Sequence, residues 1–448
     1  MNARSLPGRA FGFLSPEELM CGGILLFFSI QGAIPGIAPP QQYELTAAAP
    51  SALSTVGGIV SQVVVNAAIL LLILRRPRLL LRQIAAVPWL ALFALLAIAS
   101  SAWSLDPLFT LRRSLPFALA GLFGLYFAAR FAPERQFAIL RLTLLVAALA
   151  TVALVLLDPS LGLDHSAGHA AQWQGIFTQK NACGRIMVLA TAVLLFAGRI
   201  TPFRIACLGL YFFLLARSGS RGAWIVEAAI LLFWIFLAIA RRSGPRLRTV
   251  LALAAPPCAL ALAGAGIAMY PRLAPLLGRD ATLSGRTAIW HQVLHCVALR
   301  PWFGYGYDAF WRGMQGPSLQ VSAAVHFVVV HAHNGFLEIA LELGVAGLVL
   351  FSLSWLSAWR QLGFAWRRGE IQRLAWPAAV LVLIVLYDLD ENTLLVHNGL
   401  FWTLYVGAAA TAARIACDCH HTAPEATHAI LNSGSRKPAA SPLPQELV

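Results

Sequence analysis

Apolar residues in this chain do not alternate with polar ones but run together. Stretches rich in Leu, Ala, Val, Ile and Phe recur from end to end, each near the ~20 residues a helix needs to cross the hydrocarbon core of a bilayer. They lie near 18–38, 56–74, 84–101, 114–129, 137–157, 182–198, 202–216, 222–240, 248–269, 334–359, 374–387 and 395–415. The short alternating segments of a membrane β-barrel are not part of this pattern. The expected fold is an all-α polytopic integral membrane protein of about twelve transmembrane helices. Helices one to nine fall in residues 1–269, one large extramembrane loop in 270–333, and helices ten to twelve in 334–415. Residues 416–448, rich in Pro, Ala and Ser, are expected to be a disordered tail.

The polar connections set an orientation. Arg75, Arg76, Arg78 and Arg82, the arginines of 130–141, Arg199 with Arg204, and those of 241–248 and 360–373 fall on every second connection. Loops that retain arginine are cytoplasmic, and both termini join them. The first apolar run follows Arg4 and Arg9 like a signal peptide, but no small-residue cleavage motif follows directly, so it reads as a retained helix. The other connections, 38–55, 158–180, 270–333 and 388–392, are longer or more acidic. Loops as long as the third are usually functional.

Composition removes the main alternatives. Of 448 residues, 59% are hydrophobic and 12% charged, more apolar surface than a soluble chain can bury. A net charge of +14 would suit nucleic acid, but the arginines sit in clusters between apolar runs. Membrane lipid is therefore the expected partner, and nucleic acid is not. Cysteines 21, 183, 207, 258, 296, 417 and 419 lie mostly inside apolar runs, so no disulfide framework is implied. The "CDCHH" at 417–421 lacks the four-ligand spacing of a structural zinc site.

Cations on the expected outer side break the sign rule: Arg112 and Arg113, Lys180 and Arg185, Arg217 and Arg221, then Arg272, Arg279, Arg286, Arg300 and Arg312. An arginine at a membrane edge either snorkels to headgroups or pairs with an anion. Four stretches hold most of the remaining polar chemistry: "GIFTQKNACGR" (175–185), "SGSRGAW" (218–224), "SGRTAIW" with "RPWFGYGYDAFW" (284–311), and "HAHNGFLEIALELGVAGL" (331–348). In this order, with a large outer loop before the His-Asn segment, they resemble the O-antigen ligase and polysaccharide polymerase family over about residues 170–405. The His-Asn…Glu…Gly-x-x-Gly segment is the most specific part, and "TQKN" is closer to the exopolysaccharide-polymerase branch.

The resemblance implies transfer of a glycan from undecaprenyl pyrophosphate to an acceptor hydroxyl at the periplasmic face of the bacterial inner membrane. The acceptor is lipid A core in a ligase and another repeat unit in a polymerase. It further implies an inverting glycosyltransferase with no cofactor and no metal. Arg221 and Arg286 match the family's arginine positions, and His333 with Asn334 its His-Asn pair. The residues suit that chemistry. Guanidinium offers a planar fork for phosphate oxygens, with Arg217, Arg185 and Lys180 as candidate helpers. Histidine, with an ordinary pKa of ~6.5, suits a general base, and His331 is a second candidate. Asn334, Glu338 and Glu342 recur every four residues on one helix face. Glu338 is the third catalytic candidate, orienting a histidine or a sugar hydroxyl; the alternative is a buried glutamate paired with an arginine. Gly344 and Gly347 are expected to permit close helix packing.

Other features stay open. His291 and His295 lie four apart on an amphipathic helix, 287–299, expected on the membrane surface, without the glutamate of a metalloprotease. Asp388, Asp390 and Glu391 read as a solvated acidic turn or a divalent-cation site. The aromatics of 300–311 suit sugar stacking or an interfacial belt. A transporter or flippase of lipid-linked sugars is the rival reading. No clear internal repeat is visible and the polar residues gather at one membrane edge, which favours an enzyme. The arginine alternation is directly testable in a cysteine-free background: an impermeant thiol reagent should label Gln315→Cys in intact cells and leave Ser243→Cys untouched. The reverse pattern contradicts the orientation.

Overall fold

A computed structural model describes residues 14–37, 52–165, 171–198, 201–276, 285–313 and 315–421. Its helices in chain order are α1 (Pro16–Ser29), α2 (Ala52–Leu74), α3 (Pro77–Ala86), α4 (Pro88–Ala99), α5 (Pro107–Arg130), α6 (Pro133–Leu157), α7 (Pro159–Gly162) and α8 (Lys180–Phe196). They continue with α9 (Pro202–Ser218), α10 (Arg221–Arg242), α11 (Pro245–Leu276), α12 (Arg286–Leu299), α13 (Gly316–Val325), α14 (Gly335–Arg368), α15 (Ile371–Asp388) and α16 (Leu400–His421). The fold of the described residues is all-α, and the apolar runs of the sequence overlap its helices.

By length and apolarity, seven helices among the described residues qualify to cross a membrane, and the α3–α4 pair makes an eighth if it is one bent span. α1, α8 and α9 are shorter, at 14, 17 and 17 residues. The run near 84–101 is not one straight helix, because the chain turns by 100° between α3 and α4. Pro88 opens α4 and bars Val87 from helical backbone angles. At the far end α16 reaches His421, so residues 416–421 of the expected disordered tail are helical. Residues 422–448, and the side chains of Cys419, His420 and His421, lie outside the described residues.

Local chemistry sets the helix starts. Proline opens α5 and α6, where its missing N–H costs nothing. Ser15 and Glu18 form a reciprocal capping box on α1, and Asn334 caps α14 by accepting from Leu337 N at 3.0 Å. α5 and α16 approach closely because Gly124 has no side chain; a Cβ there would collide with Thr403 O. Trp402 stacks on Phe117 at 4.4 Å and donates Nε1 to Phe117 O at 3.0 Å. Val63, Leu95, Leu156, Ile225 and Leu232 stay exposed on the outside, an apolar surface suited to lipid.

The connection before α14 is a structured cap. α12 and α13 close over a second core that includes Ile289, Val293, Phe310, Val321 and Val329. Ile289, Val293 and Cys296 of α12 pack into this core, while Leu294, Leu299, His291 and His295 face outward. Tyr305, Tyr307 and Phe310 are buried core residues, so the sugar-stacking and belt readings fail for them; Trp302 and Phe303 remain exposed.

α14 itself is broken at Gly344, whose φ of 67° and ψ of −162° are not helical. Residues 301–306 fill the break. Val345 N and Ala346 N donate to Pro301 O and Trp302 O at 2.8 and 3.1 Å, and Tyr305 N and Gly306 N donate to Leu341 O and Glu342 O at 3.0 Å each. A broken helix at membrane depth requires this re-satisfaction of freed backbone groups. Gly344 thus admits a loop backbone, where a neighbouring helix was expected.

Candidate functional site

The turn that closes α15, residues 388–391, touches the first turn of four other helices. From α8, Asn181 Nδ2 donates to Glu391 Oε1 at 3.4 Å. At the start of α10, Gly222 leaves room for the Asp390 carboxylate. Arg286, the first residue of α12, donates to Asp390 O at 2.6 Å. Asn334, at the head of α14, donates to Leu389 O at 3.2 Å, and Gly335 makes space for Asp388. Each helix start carries about half a positive charge and unspent N–H groups, so the four together form an anion-seeking surface.

The turn is not the solvated acidic loop that one reading of the sequence gave. Asp388 and Glu391 are 0% and 3% exposed. Asp388 accepts from Thr393 N and Oγ1 at 2.9 and 2.7 Å. Glu391 stands among cations and imidazoles: Arg286 Nη2 at 3.3 Å, His333 Nδ1 at 3.5 Å, His331 Nε2 at 3.8 Å and Arg185 Nη1 at 3.9 Å. Arg286 also pairs with the Asp390 carboxylate. Burial alone would raise the Glu391 carboxyl, but His333, His331 and Arg185 outweigh it and hold the group well below the usual carboxylate range.

The two histidines differ. Burial, reinforced by the neighbouring His333, pushes His331 down to about 3, so it stays neutral. Its Nδ1 accepts the His333 backbone N–H at 3.3 Å. His333 is partly exposed and sits at φ 50°, a left-handed backbone that non-glycine residues seldom adopt and that folds retain mainly at functional sites. With Nδ1 turned toward Glu391, Nε2 is the nitrogen left to meet a ligand.

Glu338 contacts neither imidazole directly. Its carboxylate accepts from Ala332 N at 2.7 Å and from Trp311 Nε1, which pins the backbone between His331 and His333. Its side-chain partner on the helix is Glu342, and no ion pair joins either glutamate to an arginine among the described residues. Arg221 opens α10 with its side chain exposed, one residue before the contact with Asp390. Arg217 lies over the Trp173 ring at 5.2 Å, and Lys180 donates to Gln172 Oε1, so both are tied to the flanking 172–173 strip. The fold thus gathers Arg185, Arg286, His331, His333 and Asn334 on one turn, with Arg221 at its rim. Sequence reasoning missed Glu391 as the centre; the signal was an acidic run ending a span on the same expected side as the unexplained cations.

Residues 206–352 match the family model described as O-antigen ligase. The likeness to that family covers about a third of the 448 residues. Part of the chain is also 36% identical over 81 residues to the exopolysaccharide production protein ExoQ of Rhizobium meliloti, covering 17% of this chain and 18% of that one. A candidate polysaccharide ligase of Rickettsia prowazekii is 33% identical over 78 residues, 17% of this chain and 19% of that one. The chain therefore spans less than a fifth of the length of the curated relatives it matches. Arg217, Arg221, Arg286 and both histidines fall inside the O-antigen ligase segment, whereas Lys180, Arg185 and Glu391 lie outside it.

Beyond His331, a cavity of about 320 Å³ opens, lined in part by Arg113, Asp308, Trp311, Arg312, Glu338 and His397. Arg113 approaches His397 Nε2 at 2.7 Å and Asp308 at 3.7 Å, and Arg312 pairs with Asp106 at 2.7 Å. Burial and then Arg113 push His397 well below its ordinary value, while burial raises Asp308. His331, His333 and Glu391 also bring metal-ligating atoms within 4.8 Å of one another; the sequence offered Glu391 to a divalent cation only together with Asp388 and Asp390. Arg286 and Arg185 already face the same carboxylate, and a divalent cation there would be repelled by both.

The buried histidines give acidification a definite sign. His331 and His397 stay neutral when folded but bind a proton below ~6.5 when unfolded, so stability falls as pH drops through that value. At pH 5, about 1.5 pH units lower, His331 alone costs roughly 2 kcal/mol at about 1.36 kcal/mol per unit. Glu391 is held low, so its contribution persists across this window; Asp308 works in the opposite sense. Between pH 7 and pH 5 the melting temperature in detergent should change less favourably for the wild type than for His331→Gln/His397→Gln, which lacks both buried imidazoles. Equal changes in both proteins would show that the histidines are not buried neutral.

Proposed function

We propose that this chain is an inverting membrane glycosyltransferase that draws a glycan from undecaprenyl pyrophosphate at the periplasmic face of the bacterial inner membrane. Its place is O-antigen or exopolysaccharide assembly, with about twelve spans, both termini cytoplasmic and the α12–α13 cap outside. One observation carries the reading: four helix starts, Arg185 and Arg286 converge on one buried turn beside a strained histidine.

The donor's diphosphate binds at the rim of that turn, where Arg221 is exposed and Arg286 sits at a helix start. The acceptor sugar enters from the cavity beyond His331. Its hydroxyl oxygen attacks the anomeric carbon and its proton passes to His333 Nε2. The carbon–oxygen bond to phosphate breaks on the opposite side, and the arginines take up the charge on the departing undecaprenyl diphosphate. One in-line displacement inverts the anomeric centre. Glu391, facing Nδ1, stabilises the imidazolium as it forms, and His331 and Glu338 hold the segment in position. The acceptor is lipid A core in a ligase or another repeat unit in a polymerase. No metal takes part in this scheme.

Reconstituted enzyme supplied with lipid-linked repeat units tests it. His333→Gln should slow transfer by about 10²–10⁴-fold while the protein accumulates normally, and Arg286→Lys should lose most transfer because lysine keeps the charge but not the fork. A normal rate in either variant removes that residue from the role. EDTA should leave the rate unchanged; a loss that magnesium restores would put an ion on the histidine pair instead.

A further inference from the structure

The end of the bundle opposite the histidines holds a larger cavity. α8 and α10 begin, and α15 ends, at the buried turn, so the end of α8 and the start of α15 lie at the other end. There α5, α6, α8, α9, α15 and α16 enclose about 870 Å³. Its walls are of two kinds. Phe137, Phe196, Trp376 and Ile415 supply an apolar side, with Phe137 and Trp376 packed edge to face at 5.2 Å. The other side is arginine. Three of these have carboxylate partners: Arg130 with Glu17, Arg135 with Glu18, and Arg373 with Glu370 and Asp418.

Arg141 has none, and Arg414 has only the electrostatic pull of Asp418, which already pairs with Arg373. Among the described residues, Arg141 Nε donates only to Phe137 O, one turn back on its own helix, at 3.2 Å. Arg414 Nη1 donates to Ala128 O at the end of α5, at 2.9 Å. Arg204 stands close enough to Arg141 to repel it, which makes the local field more positive. A guanidinium has five N–H donors, and each of these two commits one. Capping a helix end explains the Arg414 contact to Ala128, but not a half-buried Arg141 bonded only within its own turn beside an open cavity.

We propose that this cavity binds a phosphate-bearing headgroup of a membrane lipid. Arg141 and Arg414 hold the phosphate, and the first methylenes of the lipid tail lie against Phe137, Phe196 and Trp376. Guanidinium is the side chain best matched to phosphate oxygens, and basic pockets between membrane helices are known headgroup sites. A soluble phosphate shares the anionic chemistry but leaves the apolar wall unused.

Native mass spectrometry of the full-length protein in detergent separates these sources, with phosphatidylglycerol, phosphatidylcholine and inorganic phosphate as probes. The wild type should retain phosphatidylglycerol in preference to phosphatidylcholine, and inorganic phosphate at equal concentration should not displace it. Arg141→Gln should bind phosphatidylglycerol about tenfold more weakly, the loss of one charge-assisted hydrogen bond. Arg141→Lys should recover part of the binding. Arg141 bonds only its own turn, so the variant should melt close to wild type; if it does not, Ile415→Trp, which fills the cavity without removing charge, should displace the lipid. Undiminished phosphatidylglycerol binding in both Arg141→Gln and Ile415→Trp overturns the site, and displacement by inorganic phosphate overturns the lipid as its occupant.

Discussion

One buried carboxylate constrains the functional end of this molecule. Glu391 has two guanidiniums and two imidazoles within 4 Å of it, and burying an ion without such partners would cost several kcal/mol. The partners come from α8, α12 and the lead-in to α14, so satisfying one carboxylate fixes three chain segments against the end of α15. Breaking a buried pair on one side typically costs about 3–5 kcal/mol. The same charge balance prepares the site for an anion. Four helix starts and an exposed arginine surround a negative turn that neutralises only part of them, and the remainder faces outward.

That arrangement assigns unlike roles to like residues. His331 is walled in, neutral, and receives a backbone N–H; His333 is partly exposed, strained and backed by the carboxylate. The difference arises from the chain's path around Ala332, which Glu338 and Trp311 hold in place. The break in α14 belongs to the same construction. Gly344 lets the 301–306 backbone close on the helix, which carries Trp311 to Glu338 and so couples the cap to the histidines.

Much of the fold was legible in the sequence, because apolar runs of spanning length leave a chain little choice. The bend at Pro88 and the extension of α16 past Arg414 were less visible; both depend on local backbone chemistry that hydropathy averages away. At the site, the resemblance to the O-antigen ligase and polysaccharide polymerase family named Arg286, His333 and Asn334, and residue chemistry added Arg185 and His331. Asp388, Asp390 and Glu391 were read as a solvated turn or a divalent-cation site, because acidic residues in a short connection usually are solvated. The burial of Glu391 and the pairing of Asp390 with Arg286 follow from tertiary contacts across 104 to 210 positions, which no local pattern encodes. Part of the aromatic loop was misjudged for the same reason, since Tyr305, Phe310 and Trp311 fill a core with α12 and α13.

The most direct test of Glu391 as the organising charge is the transfer rate of Glu391→Gln, an isosteric change that removes only the negative charge. At pH 7 the rate should fall at least about 100-fold, because the proposed base His333 loses the carboxylate facing its Nδ1 and Arg185 loses its counter-charge. A Glu391→Gln protein that transfers glycan within a few-fold of wild type would contradict that central role.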